Sequence, residues 1–214
     1  MKTHNPIFLQ AAGRAGKTPF AGIKVLSSIA DPIIGQVDGN GDITVTSIKN
    51  GEKISNTYSD PYEIDVSVQA DANTWVIITG EITIFSYIGS HVEKVVAYNN
   101  TALTYLNCYD RPNLTVLDVR NNTALDTVDC GECLGLKVLY IINNTAQNSL
   151  DCSNNPVLDS IKYGAENENV ANSVAYIITQ NAALKGTVYT DSNGEFYSII
   201  ADAATAAGWT IAQL

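Results

Sequence analysis

The sequence predicts a mainly β protein, in which a small N-terminal antiparallel β-domain precedes a right-handed solenoid of 22-residue coils capped by one C-terminal helix. Three observations lead to this fold class. Apolar residues recur every eleven positions through the middle of the chain, alternating apolar patterns with turn signals precede them, and an amphipathic helical pattern follows them.

Three apolar columns that run in step define the repeat region. Apolar residues fill 20 of the 21 column positions, and Gln147 is the one exception. The columns begin at Val92, Val95 and Ala97 and end at Leu158, Ile161 and Tyr163. A fixed period with several apolar positions indicates stacked repeats, each of which buries a strand against its neighbours.

The true period of the repeats is 22 residues. The tetrapeptide Asn-Asn-Thr-Ala recurs at 99–102, 121–124 and 143–146, and cysteine alternates with valine or isoleucine along most of the third column. One coil therefore consists of two eleven-residue halves, each with its own strand. We expect the solenoid to span 82–190. Its three apolar columns define seven half-coils, or three and a half coils, and such a short stack requires a cap at both ends.

Two segments precede the repeats. Residues 1–22 are predicted to form an extended arm, which carries three basic residues. Residues 23–81 are predicted to form the small β-domain, because short strand patterns are separated by turn signals. The strand patterns are Ile43–Ile48, Tyr62–Val68 and Trp75–Ile78, and the turn signals begin at Asp38, Asn50 and Asp60.

The C-terminal cap is predicted over 191–214. Asp191-Ser-Asn-Gly supplies a turn and an N-cap for a helix from Glu195 to Ala207, and Gly208 ends that helix. The apolar stripe of the helix consists of Phe196, Ile199, Ile200, Ala203, Ala204 and Ala207. The three residues from Trp209 to Ile211 are expected to form a last strand.

Two repeat segments carry a resemblance to a known family. Residues 114–125 read Leu-Thr-Val-Leu-Asp-Val-Arg-Asn-Asn-Thr-Ala-Leu, and residues 150–156 read Leu-Asp-Cys-Ser-Asn-Asn-Pro. They resemble the bacterial leucine-rich repeat in its short cysteine-containing form from Bacteroidetes, including a phage-borne version of it. At the asparagine position of that motif stand Asn100, Asn122, Asn144 and Asn155, with Arg111 and Cys133 as departures. The resemblance implies a solenoid fold in which the asparagines bond neighbouring backbone where each strand ends. It does not identify a ligand, because such repeats are a scaffold with many functions.

Composition argues against several classes of partner. The chain has 22 acidic and 12 basic residues, a net charge of −10, and no basic stripe that would bind nucleic acid. No stretch approaches the roughly 20 apolar residues of a membrane-spanning helix, so no membrane insertion is expected. The first residues lack the apolar run of about 7–15 residues found in a signal peptide, which favours retention in a cytoplasm or release by lysis.

Two motifs come close to chemical sites without completing them. The segment 11–18 lacks the first glycine of a phosphate-binding P-loop, and a proline follows it where a helix should run. The segment Asp38-Gly-Asn-Gly-Asp42 lacks the later ligands of a calcium loop, and we interpret it as a hairpin turn. We therefore expect no enzyme activity, no metal and no cofactor.

The cysteines follow the repeat. Cys108, Cys130 and Cys152 share the third column at intervals of 22 residues, where a thiol serves as a small apolar core residue. Side chains stacked in register point the same way, which does not suit disulfide geometry. The pair Cys130-Gly-Glu-Cys133 has redox or zinc spacing, but no second pair or nearby histidine completes a site. All four cysteines are predicted to be reduced and buried.

A binding surface is predicted on one of the two outward faces of the repeats. Side chains alternate along a strand, so residues between the columns point outward. One face is mostly polar and consists of Tyr105, Asn107, Tyr109, Thr127, Asp129, Ser149 and Asp151. The other is unusually apolar and consists of Val96, Tyr98, Val116, Asp118, Arg120, Val138, Tyr140 and Ile142. All of these except Asp118 are predicted binding residues. Stacked, they would form a patch of several hundred Å², a size that marks interaction sites.

These features favour a non-enzymatic structural or attachment protein. We expect a phage virion component, a fibre or decoration protein, whose arm docks on the particle and whose solenoid contacts protein or glycan. The expected partners are proteins of a virion or surface assembly, identical subunits in a homo-oligomer, and a glycan or receptor. An alternative is a bacterial cell-surface or secreted leucine-rich repeat adhesin. For the apolar face, the alternative is coverage by the protein's own arm or β-domain.

Overall fold

A computed structural model describes residues 20–30, 33–59, 62, 64–86, 89–164, 167–191, 193 and 196–214. Almost all of the predicted arm lies outside these residues, as does the segment 11–18 that partly matches a P-loop. Within the described part the protein is mainly β, with one large mixed sheet and two α-helices.

Fourteen strands form the sheet in the described residues. They are β1 (Gly22–Ser27), β2 (Ile33–Lys49), β3 (Glu52–Tyr58), β4 (Ile64–Ser67), β5 (Trp75–Ser86), β6 (Val92–Tyr98), β7 (Tyr105–Asn107), β8 (Val116–Asp118), β9 (Thr127–Asp129), β10 (Val138–Ile141), β11 (Ser149–Asp151), β12 (Ser160–Tyr163), β13 (Thr187–Thr190) and β14 (Thr210–Gln213). The order along the sheet is β11-β9-β7-β5-β1-β6-β8-β10-β12-β13-β14, and β2 pairs beside this path with β3, β4 and β5.

The N-terminal strands pair antiparallel and join directly to the repeats. β1 lies between β5 and β6, and the strand β5 runs across the predicted boundary at residue 81. The first half of β5 pairs with β1, whereas its last residues pair in parallel with β7. Between these two parts, a Cβ on Gly80 would lie 2.5 Å from the carbonyl oxygen of Asp42, so only glycine fits there.

The turn predictions for this region had different outcomes. Asn50 and Gly51 both have positive φ, 53° and 78°, and form the tight turn between β2 and β3, as the Asn-Gly signal predicts. The hairpin turn predicted at Asp38–Asp42 is wrong. These residues lie inside β2, where the register against β5 shifts twice, and this irregularity bends one long strand instead of ending it.

Two parallel ladders make up the repeat region. One consists of β7, β9 and β11, and the other of β6, β8, β10 and β12, with β13 and β14 continuing the second. Within the repeats the paired residues are 22 positions apart, as in Leu106↔Val128 and Leu117↔Leu139. Each 22-residue segment thus contributes one strand to each ladder, and the 21 column residues between the ladders are all buried, with exposed fractions of 6% or less.

A second eleven-residue period appears in the backbone. In each half-coil, the residue before the motif asparagine has a φ between 53° and 60°, and so does the residue before Arg111 or Cys133, which replace that asparagine. These residues are Asn99, Asp110, Asn121, Glu132, Asn143 and Asn154. Asparagine and aspartate tolerate this left-handed conformation better than most other side chains do, which explains the first asparagine of each Asn-Asn pair.

The C-terminal part contains α1 (Glu168–Gln180) and α2 (Tyr197–Ala207), where the sequence predicted one helix. α2 ends at Gly208, at φ 71°, as predicted. Its N-cap is Phe196, which makes no side-chain capping bond, so the predicted N-cap is wrong; the Asp191 carboxylate instead accepts the N–H of Asn193.

The unpredicted helix α1 lies within the range assigned to the solenoid. Asn167 caps it by accepting the N–H groups of Asn169 and Val170. Val170, Ala171, Val174, Ile177 and Ile178 form its buried face. α1 packs against the edge strand β11, and it connects β12 to β13 in place of a further strand of the first ladder.

Candidate binding surface

The predicted binding residues come together on the outward side of the second ladder. Val96, Asp118 and Tyr140 lie side by side on β6, β8 and β10, and Val116 pairs with Val138. Tyr98, Arg120 and Ile142 lie at or just beyond the ends of the same strands. All seven predicted residues are half-buried.

The centre of this surface is an ion pair, which corrects the expectation of an apolar patch. Arg120 donates from Nε to Asp118 Oδ1 at 2.8 Å and from Nη2 to Asp118 Oδ2 at 2.6 Å. The Asp118 side chain is 1% exposed, whereas that of Arg120 is 27% exposed. The hydrogen bond to Asp118 raises the pKa of Arg120, and the buried carboxylate is neutralised by its fixed partner.

Tyrosine rings and cations alternate on both sides of this pair. The Arg120 guanidinium lies 5.4 Å from the ring centre of Tyr98 and 4.9 Å from that of Tyr140. The ammonium of Lys162 lies 5.2 Å from the ring centre of Tyr140 and 4.8 Å from that of Tyr189. These distances are within cation–π range, so the five side chains form one continuous stack. We call this surface, with Asp118, the tyrosine–cation face.

Sequence reasoning missed two members of the stack. Lys162 falls in the row of Asp118 and Tyr140, so the 22-residue period would have found it. Tyr189 lies 27 residues after Lys162, because α1 lengthens this coil, and no period in the sequence points to it. The Tyr140 hydroxyl is partly shielded, and burial raises its pKa against the opposing effect of Arg120.

The opposite side of the coils is acidic. Asn107, Asp129 and Asp151 lie side by side on β7, β9 and β11, and the Oδ1 of each accepts the backbone N–H two residues later. Asp110 and Glu132 follow at the ends of these half-coils. Burial, and then the neighbouring Asp151, raise the pKa of Asp129, although the hydrogen bond from Gly131 lowers it. We call this surface the acidic face.

The Cys-x-x-Cys pair is part of the core. Cys130 and Cys133 are both buried, and the Sγ of Cys133 donates to the carbonyl oxygen of Cys108 at 2.9 Å. Burial raises the pKa of Cys133 to about 11, so this thiol is protonated at neutral pH. All four cysteines are unbridged, and no group of three or more metal-binding side chains occurs among the described residues.

No family model matches the sequence, and no curated protein or solved structure matches it either. Of the helices that the structure describes, none has the length and apolar character needed to cross a membrane. The geometry of the two faces is therefore the basis for assigning a function.

Proposed function

We propose that this protein is a non-enzymatic attachment protein built on a leucine-rich repeat solenoid, and that it is a phage virion component, a fibre or decoration protein. In this proposal the N-terminal arm joins the particle and the tyrosine–cation face contacts a protein or a glycan. The observation that carries the proposal is the continuous stack of Tyr98, Arg120, Tyr140, Lys162 and Tyr189 on one outward face.

The composition of this stack supports binding. Tyrosine and arginine are the residues that interfaces favour, because they combine large contact area with hydrogen-bonding groups. The stack is also held rigidly, since each of its strands is paired on both sides and Arg120 is fixed by Asp118. A rigid surface loses little conformational freedom when a partner binds.

The last strand supports the expected homo-oligomer. Among the described residues β14 pairs only with β13, and it lacks the charges and prolines that usually protect an edge. The N–H groups of Thr210 and Leu214 bond toward β13. By alternation, the backbone groups of Ile211 and Gln213 point away from it. A second β14 running antiparallel, centred on Ala212, would satisfy these four groups with four hydrogen bonds.

The virion assignment is tested by locating the protein in its natural source. Mass spectrometry of purified phage particles should find this chain in many copies per particle, in a fixed ratio to the major capsid protein. Recovery in the cell envelope or the medium, with none in the particles, would overturn the virion assignment and support the adhesin alternative.

The attachment role is tested with the purified protein. Fluorescently labelled wild-type chain should bind host cells, and Tyr140→Asp should bind at least tenfold less because it places a carboxylate beside Asp118. Tyr176→Asp is the matched control, since Tyr176 is 55% exposed on α1 and outside the tyrosine–cation face. Equal binding by both variants would show that attachment does not use this face.

A further inference from the structure

Charge is divided between the two faces of the coils. The tyrosine–cation face and its continuation onto β1 carry Lys24, Lys94, Arg120 and Lys162 at outward positions. In the rows of Lys24 and Lys94, the one carboxylate among the described residues is Asp118, and Arg120 neutralises it. Asp191 lies just beyond the end of β13. Two further carboxylates lie near the start of these strands. Glu93 comes one residue before Lys94, and Asp159 one residue before Ser160. A chain with a net charge of −10 therefore has one locally cationic surface.

The cations follow the stacking direction of the strands. Lys24 is on β1, Lys94 on β6, Arg120 just after β8 and Lys162 on β12. Neighbouring strands are about 4.8 Å apart, so the four steps from β1 to β12 cover about 19 Å. Among the described residues, Lys24, Lys94 and Lys162 form no ion pair. Lys24 contacts the ring of Phe20, and Lys162 contacts those of Tyr140 and Tyr189. An extended anion would thus meet a staggered row of three ammonium groups that have no carboxylate partner among the described residues.

The spacing of these charges favours a sparsely charged polymer. A nucleic acid strand carries one phosphate per about 3.4 Å, and a duplex one per about 1.7 Å. Successive cations lie one or two strands apart and are offset by two to four residues along the strands, which places them about 8–14 Å from one another. Single-stranded nucleic acids also need open aromatic faces for base stacking. The ring of Tyr140 is already in contact with two cations, Arg120 at 4.9 Å and Lys162 at 5.2 Å from its centre.

We propose that the tyrosine–cation face binds an acidic polysaccharide, a polymer with carboxylates on its sugar rings. The ammonium groups of Lys24, Lys94 and Lys162 pair with the carboxylates, and the hydroxyls of Tyr98, Tyr140 and Tyr189 bond to the sugar hydroxyls. This inference rests on the proposed attachment function and names its ligand class.

The test is a binding titration of the full chain with a polyuronate and a polysialate, each alongside its carboxyl-reduced neutral form. We expect the acidic form of at least one polymer to bind at least tenfold more tightly than its neutral form. Lys162→Gln and Lys94→Gln should each weaken that binding about three- to tenfold, as expected for one ion pair. Lys94 is outside the ring stack, so its variant tests charge without disturbing Tyr140. Lys53→Gln, at an exposed residue of β3, is the matched control and should bind as the wild type does.

Five outcomes would overturn the proposal. Equal binding of acidic and neutral forms would exclude selection by charge, and tighter binding of polyglutamate or single-stranded DNA would identify a different partner class. Unchanged affinity in both Lys94→Gln and Lys162→Gln would place the site elsewhere. If no acidic polymer binds but Tyr140→Asp still abolishes attachment to cells, the ligand class is wrong and the attachment function stands. If the wild type attaches to no cells either, both proposals fail.

Discussion

The thiol of Cys133 donates a hydrogen bond to the carbonyl oxygen of Cys108, with 2.9 Å between Sγ and O. One coil later, Asn155 makes the equivalent bond from Nδ2 to the carbonyl oxygen of Cys130, at 3.0 Å, and a second bond to that of Cys152, at 2.8 Å. Cys133 thus takes the place of a motif asparagine and makes one of its two bonds.

We predict that Cys133→Asn raises the free energy of unfolding by about 1 kcal/mol, because the amide can bond the carbonyl oxygens of both Cys108 and Cys130. Cys133→Ala should lower it by about 1–2 kcal/mol, since it leaves the Cys108 carbonyl without its partner. Urea unfolding of both variants measures the difference. A lower stability for Cys133→Asn than for the wild type would show that the site has no room for the amide.

A second prediction concerns the rank order of the asparagines. Asn122 donates to the carbonyl oxygens of Ala97 and Val119 and accepts the N–H of Asn100, whereas Asn144 accepts only the N–H of Asn122 with its side chain. Asn122→Ala should therefore cost about 2–4 kcal/mol, and Asn144→Ala about 1–2 kcal/mol. Thermal and urea unfolding would check this order, which equal losses would contradict.

Arg120 should matter more for stability than its exposure suggests. Arg120→Gln would leave the carboxylate of Asp118, whose side chain is 1% exposed, without its charged partner. We expect a loss of about 3 kcal/mol in the free energy of unfolding. The double variant Asp118→Asn/Arg120→Gln should recover at least half of it, because no buried charge remains. If the double variant is as unstable as the single one, the loss comes from the ring stack and not from the unpaired carboxylate.

The buried thiols predict a loss of stability at alkaline pH. Burial raises the pKa of Cys133 to about 11 and that of Cys152 to about 12, from the ordinary value of 9.0. The unfolded chain therefore loses these protons first, and the stability present below pH 9 declines as the pH rises toward 11. Urea unfolding at pH 7.5 and 10.5 measures the decline.

Cys152→Val is the control for this pH dependence, because valine or isoleucine fills the same column at Val119 and Ile141. The decline between the two pH values should be smaller in the variant, since one titrating thiol is gone. An equal decline would assign the effect to other groups. In addition, all four thiols should be unreactive toward a thiol reagent at pH 7.5 until the protein unfolds.

The open edge of β14 predicts how self-association can be blocked. Gln213→Pro removes an N–H that points away from β13, so the fold should tolerate it while pairing with a second β14 is lost. Light scattering should show an oligomer for the wild type and a monomer for Gln213→Pro. Asp202→Ala, on the exposed side of α2, should leave the mass unchanged. An oligomer that persists in Gln213→Pro would place the interface elsewhere.

Much of the repeat region could be predicted from the sequence because its period is local. The eleven-residue interval identified the buried columns, including the cysteines, since residues at equivalent positions face the same core. The helix α1 was missed although Val170, Val174, Ile177 and Ile178 follow helical spacing. The solenoid prediction covers residues 82–190, although the apolar residues within Glu168–Gln180 have the spacing of a helix and not that of a strand.

The sequence by itself determined which side chains are buried, because burial follows from alternation along each strand and from the 22-residue period. Only the tertiary structure decided what the outward faces are chemically. Arg120 contacts Tyr98 and Tyr140 across strands, and Lys162 meets Tyr189 only because α1 adds residues between β12 and β13. Such contacts depend on strand order and register, which are set by hydrogen bonds between segments far apart in the chain.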